Sequence, residues 1–395
     1  MNTLVANKSR IQSIDLLRGL VMIIMALDHT RDFFHAQAMT EDPLNAATTT
    51  PILYFTRWIT HFCAPVFVFL AGTSGYLQSL RKNKKELSLF LIKRGLWLIL
   101  LEITLITFSF SFDIYFSVIG LQTIWSIGIS MIILGLFIWL PFPVILVSGL
   151  IIVFGHNLLD MYEKDQQVFS VWYALLHRPG IYHLWANHNL LAFYPFLSWA
   201  GLMLLGYCFG KLLYNNEGAQ RKKVLLWLGR GVMAFFIVVR MLDFYGDPDV
   251  LTNNDKPLDS LYSFLEVSKY PPSLLYMCMT IGPAILFLAF FDKAKGAVVK
   301  VISVYGRVPF FYYILHFYLL HIIAMLVFFA RGHSVAEGTK HVGEAIPNFV
   351  QPGEGFNLGI VYLIWIAIVV VLYPVCKWYD KYKMAHKEKW WLSYL

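Results

Sequence analysis

Charged residues are scarce in this sequence. Asp, Glu, Lys and Arg make up 14% of its 395 residues, whereas hydrophobic residues make up 58%. A soluble domain carries about a quarter charged residues and less than half apolar ones. The shortage of charge therefore excludes an ordinary soluble domain and indicates that much of the surface contacts membrane lipid.

Cysteine is also rare, and its placement excludes two common kinds of site. The four cysteines all lie inside apolar runs, and no CxxC pair occurs. A disulfide framework and a cysteine-based zinc site are therefore not expected. Because HExxH is absent as well, no metal site is predicted. The chain also lacks GxxxxGK[ST] and GxGxxG, the phosphate-binding motifs of ATP-driven transporters and dinucleotide enzymes.

Long apolar runs dominate what the sequence does contain. Nine of them are long enough to cross a membrane. They lie near residues 13–34, 52–79, 89–111, 116–140, 190–211, 223–243, 271–291, 303–330 and 357–377. The first has no small-residue cleavage site after it, so we expect a retained helix and no cleavable signal peptide. A tenth, shorter run at 142–155 is expected to be a short or re-entrant span packed inside the bundle.

The distribution of basic residues predicts the orientation. The net charge is +8, with 32 Lys and Arg against 24 Asp and Glu. When ten spans are counted, the basic residues cluster at alternate ends of the runs, as membrane orientation requires. We therefore predict an all-α integral membrane protein of about ten transmembrane helices, with the N and C termini both cytoplasmic. No nucleic-acid partner is expected, and residues 1–395 are read as a single membrane domain.

Ionisable residues at the outer ends of the first two spans are the candidates for catalysis. The first span ends in Asp28 and His29, and the second begins with Arg57 and His61, which are four residues apart on one helical face. An ionisable group inside an apolar span is expensive and functional by default. The alternatives are that Arg57 anchors the helix at the membrane surface and that His61 only bonds a neighbouring helix.

Two ordered motifs resemble a known family. The stretch Ser13–Leu20 precedes an apolar helix that ends in Asp28 and His29, and the stretch Pro65–Ser74 follows in the second span. Both are similar to signatures of the heparan-α-glucosaminide N-acetyltransferase catalytic group, within the transmembrane acyltransferases. Lys269–Ser273 and Tyr305–Pro309 are similar to stretches in bacterial members.

The resemblance implies an acetyltransferase in a membrane, expected here to be the bacterial inner membrane. Its donor would be cytosolic acetyl-CoA, and its acceptor an amino sugar or related glycan on the outer side. The family places a catalytic histidine in the loop between helices one and two, where His35 is nearest in place. Lipid, acetyl-CoA and the glycan are thus the expected partners, and a homo-oligomer is left open.

The local sequence around each histidine gives a ranking of the three candidates for the catalytic base. His29 is placed first because Asp28 precedes it at a helix end, His61 second because it shares a face with Arg57, and His35 third because it has only loop neighbours. CoA carries several phosphate charges, so basic residues near inner helix ends are the candidates for binding it. These candidates are Arg18, Lys93, Arg94 and Arg307.

A proton-coupled transporter or permease is the alternative function. Its relay would use Asp28, His29, Glu102, Arg240 and His316. Glu102 lies in the middle of the third span, where Arg18 or His316 could pair with it. Transporters often contain inverted repeats, which this sequence does not show. The resemblance therefore favours the enzyme.

Overall fold

The computed structural model describes residues 11–166, 168–252, 256–340 and 346–393, and these residues are mostly helical. The predicted cytoplasmic termini, 1–10 and 394–395, lie outside this part of the chain. The helices, in chain order, are α1 (Gln12–Phe34), α2 (Pro51–Ile59), α3 (Cys63–Ser79), α4 (Lys84–Leu101), α5 (Thr107–Ser111), α6 (Thr123–Phe137), α7 (Phe142–Gly155), α8 (Leu158–Glu163), α9 (Val171–Leu176), α10 (Phe196–Asn215), α11 (Gly218–Leu242), α12 (Pro257–Leu265), α13 (Leu274–Phe291), α14 (Ala297–Arg307), α15 (Pro309–Ala330), α16 (Val335–Gly338) and α17 (Leu358–Ala385).

Seven helical segments among the described residues are long and apolar enough to cross a membrane. They are Pro51–Ser79, Phe142–Glu163, Phe196–Asn215, Gly218–Leu242, Leu274–Phe291, Pro309–Ala330 and Leu358–Ala385. The chain is therefore an integral membrane protein. The 23-residue helix α1 is not among the seven; it carries Asp15, Arg18, Asp28, Arg31 and Asp32.

A small sheet modifies the all-α expectation. Strand β1 (Val118–Leu121) pairs in parallel with β3 (His188–Ala192), and β2 (Gly180–Trp185) pairs with β3 in antiparallel fashion. Two predicted spans, near 116–140 and 190–211, therefore begin too early. A short apolar run cannot be assigned to helix or strand from periodicity alone, and here the start of each run is extended.

The prediction that the run at 142–155 is buried inside the bundle is wrong. Helix α7 continues through His156 and Asn157 into α8, which makes a 22-residue segment with only 28% of its apolar window buried. One face packs on α10, where Gly149 lies against Leu205. Val147 and Ile151 on the opposite face are exposed, as expected for a lipid-facing helix.

Proline divides the run at 303–330 into two helices. Helix α14 ends at Arg307, and α15 starts at Pro309. Val308 between them has φ −128° and ψ 47°, outside the helical region. A residue before proline is sterically driven out of that region, and proline at the first helical position has no N–H to leave unpaired. The break lies next to Arg307.

The glycine of each family motif allows two helices to touch through their backbones. A Cβ on Gly19 of α1 would lie 2.0 Å from the carbonyl oxygen of Ile302 in α14. A Cβ on Gly72 of α3 would lie 2.1 Å from the carbonyl oxygen of Met203 in α10. Small residues permit such close approach of membrane helices. These contacts fix the positions of α1 and α3, which both line the cavity described below.

Gly19→Ala should destabilise the protein, because the new methyl group can be accommodated only by moving a helix backbone. The expected loss is roughly 1–3 kcal/mol, as for overpacked cores. Thermal unfolding in detergent measures it. Gly231→Ala is the matched control: its Cβ meets nothing within 4 Å in the middle of α11. Alanine there should be neutral or stabilising by up to about 1 kcal/mol. Equal melting temperatures for the two variants would contradict the packing argument.

Candidate active site

A cavity of about 750 Å³ runs along helix α1. Arg18, Met22, Met25 and His29 all line it. Their spacing of three or four residues places them on one face of the helix. From Arg18 to His29 the helix rises about 16 Å, at 1.5 Å per residue. A single face of α1 therefore joins two polar regions of one cavity that lie more than half a membrane core apart.

The basic end of the cavity contains Arg18, Arg94, Arg307 and Lys383, together with Asp380. The Nε and Nη2 atoms of Arg307 donate to the Asp380 carboxylate at 2.9 and 2.7 Å. Arg18 donates from Nη2 to Ser74 Oγ at 3.0 Å and from Nη1 to the Gly306 carbonyl at 3.3 Å. Asp15 also lies 3.9 Å from Arg18 Nη1, so four cations face two carboxylates and this end keeps a net positive charge. Such a surface suits a ligand with phosphate groups.

Lys93 lies elsewhere. It is exposed on α4, and the described residues that line the cavity include its neighbour Arg94 instead. Successive residues of a helix point about 100° apart, so only one of the two can face the cavity. Of the four predicted CoA-binding residues, Arg18, Arg94 and Arg307 thus meet at the basic end, and Lys93 does not.

The other end of the cavity, called the outer end after the orientation predicted from the sequence, is built around an ion-pair network between α1 and α2. Arg57 Nη1 lies 2.6 and 2.8 Å from the two carboxylate oxygens of Asp28. Arg31 Nη2 lies 3.1 Å from Asp28 and 2.6 Å from Asp32. These side chains are 7–29% exposed. Asp28 is therefore held by two arginines, and it does not orient His29 as the sequence suggested.

His29 lines the same end of the cavity, and its neighbours come from α1 and α15. Its Nδ1 lies 3.8 Å from Asp32 Oδ2, beyond hydrogen-bond distance. Its ring centroid is 4.2 Å from that of Phe317 and 5.4 Å from that of His316. The imidazole is thus packed on one side and open to the cavity on the other, which is the placement a general base needs.

His61 is buried outside the lining of the cavity in the described part of the chain. The helix tightens into a 3₁₀ turn at Thr60–Phe62, and Arg57 lines the cavity whereas His61 does not. The His61 ring packs edge-on against Tyr276, 5.5 Å between centroids, and its carbonyl accepts a 2.8 Å bond from the Tyr276 hydroxyl. This placement fits a helix-to-helix contact.

His35 is also separate from the main cavity. It caps the end of α1 and lines a small cavity of about 40 Å³ with Arg331 and Phe356. The backbone of its neighbour Ala36 donates to the Phe356 carbonyl at 3.1 Å. Of the three candidate histidines, only His29 is among the residues that line the large cavity.

Three lining residues of the outer end were not named as site residues from the sequence. Lys269 and Tyr270 belong to a stretch noted only for its resemblance, and Tyr194 follows β3. The hydroxyls of Tyr194 and Tyr270 are 3.4 Å apart, and the Tyr270 ring stacks on Phe193 at 4.1 Å. Helical spacing relates only residues that are close in sequence. It could not show that loop residues such as Lys269 and Tyr270 lie near α1.

Glu102 has a different partner from either of those expected. Its Oε2 accepts a 2.8 Å hydrogen bond from the backbone N–H of Trp125, in the first turn of α6. The unpaired N–H groups at a helix N-terminus favour an acceptor of this kind. Neither Arg18 nor His316 is needed to satisfy this buried carboxyl group.

A second polar cluster lies between α7 and α9. His177 Nδ1 donates to Glu163 at 2.6 Å, and its Nε2 lies 3.2 Å from His156 Nδ1. Oxygens of Asp160 and Glu163 and a ring nitrogen of His177 fall within 4.8 Å of one another, a spacing that a metal ion could use. Glu163 is already bonded to His177, the Tyr173 hydroxyl and Arg178. We interpret the cluster as a hydrogen-bond network that holds α8 and α9 together.

The family model described as heparan-alpha-glucosaminide N-acetyltransferase, catalytic, matches residues 10–241, more than half of the chain. The matched region includes α1, α2 and α3, with Arg18, Asp28, His29 and Arg57. No curated protein matches the chain.

Proposed function

Because the chain belongs to the heparan-alpha-glucosaminide N-acetyltransferase catalytic family, we propose that it transfers an acetyl group across the membrane. The donor is acetyl-CoA, bound from the cytoplasm, and the acceptor is an amino sugar or related glycan on the outer side. The observation that carries the proposal is the single cavity that joins a cluster of cations to His29. No feature of the described residues favours the transporter alternative.

The basic end is the proposed donor site. The phosphate groups of CoA would lie near Arg94, Arg18 and Lys383, and the pantetheine arm would extend along the α1 face past Met22 and Met25. Arginine binds phosphate in a fixed, bidentate geometry, and lysine acts as a point charge. The thioester would then reach the level of His29, while the nucleotide stays at the cytoplasmic side.

The outer end is the proposed reaction site. His29 accepts a proton from the acceptor nitrogen or oxygen, which attacks the thioester carbonyl. The new bond forms at the carbonyl carbon, the C–S bond breaks, and His29 returns the proton to the departing sulfur of CoA. Arg57 and Lys269 line the same end of the cavity, where they would stabilise the developing oxyanion electrostatically.

The direct test is incubation of the purified protein with acetyl-labelled CoA, with and without a panel of amino sugars. Acetylated sugar identified by mass spectrometry supports the proposal. Intact acetyl-CoA with every acceptor, from a protein that binds acetyl-CoA normally, contradicts it.

Arg94→Gln should weaken acetyl-CoA binding by about tenfold, the value of one charged hydrogen bond near 1.5 kcal/mol. Lys93→Gln is the matched control, since it removes the same charge from the same helix at an exposed position away from the cavity. Calorimetric titration of both variants distinguishes a local contact from general positive charge. Equal loss in the two variants would remove Arg94 from the donor site.

We also infer ten spans with both termini cytoplasmic. Helices α1, α4 with α5, and α6 pack in the same bundle as the seven long apolar segments, which supports the higher count. Cysteine labelling tests the inference, because the four native cysteines are buried. In sealed cells, an impermeant maleimide should label Thr48→Cys and leave Gln220→Cys untouched; both positions are exposed. Labelling of Gln220→Cys would overturn the arrangement.

A further inference from the structure

A second histidine lies behind His29 and is not part of the cavity lining in the described residues. His316 on α15 is fully buried, with no exposed surface. Its Nδ1 donates to the carbonyl oxygen of Tyr312 at 3.0 Å. An imidazole that donates from Nδ1 and stays neutral carries a lone pair on Nε2. The backbone contact therefore determines the tautomer of His316.

The lone-pair nitrogen of His316 has no hydrogen-bond partner among the described residues. Buried polar atoms are almost always bonded, so an unpaired one in a protein interior needs an explanation. The aromatic rings of Tyr312 and Phe317 pack against the imidazole, with centroids at 5.3 and 4.8 Å. The ring of Tyr313 lies at 5.6 Å, and the imidazole of His29 lies at 5.4 Å.

The distance between these two rings matches that of a hydrogen-bonded pair in the same protein. His156 and His177 are bonded through ring nitrogens 3.2 Å apart, and their centroids are 5.5 Å apart with the planes at 54°. His29 and His316 have centroids 5.4 Å apart with the planes at 37°. The centroid separation is therefore one at which two imidazole rings can share a hydrogen bond.

We propose that His316 is a positioning residue that accepts the N–H of His29 and so fixes the tautomer of the base. This inference rests on the proposed acetyl transfer. With Nε2–H of His29 directed at His316 Nε2, the lone pair of His29 lies on Nδ1, the atom that faces Asp32 across a 3.8 Å gap. The acceptor nitrogen approaches Nδ1 from the cavity, beside Asp32, and His29 Nδ1 takes its proton.

His316 thus does for His29 what a carboxylate does for histidine in hydrolase triads, but with a neutral ring. A carboxylate in this apolar pocket would be an uncompensated buried charge, whereas a neutral imidazole is not. Asp28, the carboxylate adjacent to His29 in sequence, is occupied by Arg57 and Arg31. The arrangement explains why a fully buried polar ring is placed next to the proposed base.

Three substitutions of His316 separate positioning from packing. His316→Gln keeps an acceptor near the position of Nε2, His316→Asn keeps only a donor near Nδ1, and His316→Phe keeps only the ring shape. We expect kcat to fall by about 10- to 100-fold in the Asn and Phe variants, with KM for acetyl-CoA unchanged, and the Gln variant to recover most of it. In a His29→Ala background, His316→Phe should cause no further loss, since it acts through the absent base.

His321→Gln is the control for burial on the same helix. Both ring nitrogens of His321 lie against backbone carbonyls, of Ser109 at 2.9 Å and Asn348 at 2.8 Å, so its loss should lower stability but leave kcat within about threefold. Equal activity of the Gln, Asn and Phe variants would overturn the inference while leaving the proposed function intact. Should the Phe variant not fold, the Gln and Asn variants still give the comparison. A wild-type protein that transfers no acetyl group would overturn the proposed function and this inference together.

Discussion

His29→Ala should lower the rate of acetyl transfer by about 10²–10⁴-fold, the usual cost of losing a general base. Acetyl-CoA binding should be nearly unchanged, because the proposed donor site at Arg18 and Arg94 lies about 16 Å away along the helix. Initial rates with labelled acetyl-CoA, together with a calorimetric titration, measure the two quantities. The loss should therefore fall on kcat and not on KM for the donor.

His35→Ala is the matched control for this prediction. It removes a histidine from the same helix end, six residues further along, where His35 lines two small neighbouring cavities and not the large one. Its turnover should stay within a few-fold of wild type. An inactive His35→Ala protein together with an active His29→Ala protein would show that the catalytic base lies in the loop and not in the large cavity.

Helix α1 shows how much of this site was accessible from sequence. Its charged residues at both ends of an apolar run identified Arg18, Asp28 and His29, and helical spacing alone places Arg18 and His29 on one face. The structure places both in a single cavity. Local periodicity is reliable here because α1 is regular throughout its 23 residues.

Predictions failed where the chain departs from a regular helix. His61 lies in a 3₁₀ turn and outside the lining of the cavity, and extended chain replaced the start of two predicted spans. Proline at 309 divided another run beside Arg307. The proline break is a local effect, whereas the other departures involve contacts with distant segments, such as the bond from Tyr276 to the His61 carbonyl.

The sequence also failed to predict which charged residues pair with each other. Asp28 was expected to orient His29, but two arginines hold it. Lys269 reaches the same cavity from a loop more than two hundred residues along the chain. Sequence spacing identifies the ionisable groups whose burial in the membrane costs free energy. Only the packed structure shows which of these groups neutralise each other.

Asp28→Asn should be among the most damaging single changes at the outer end of the cavity. It leaves Arg57, which is 15% exposed, without its carboxylate and removes one of the two carboxylates of Arg31. Loss of one partner of a buried ion pair costs about 3–5 kcal/mol. Arg57→Gln should cost less, because Asp28 keeps Arg31 at 3.1 Å. Unfolding in detergent, followed by intrinsic fluorescence, ranks the two variants.

The double variant Asp28→Asn, Arg57→Gln tests whether the network acts as a unit. If charge compensation between α1 and α2 is what stabilises this end, the double variant should be more stable than Asp28→Asn alone, because no buried cation is left without a partner. Its acetyl transfer should nevertheless stay low, since the oxyanion loses Arg57. Additive destabilisation would show that the two side chains contribute independently, and full activity in the double variant would exclude Arg57 from the reaction.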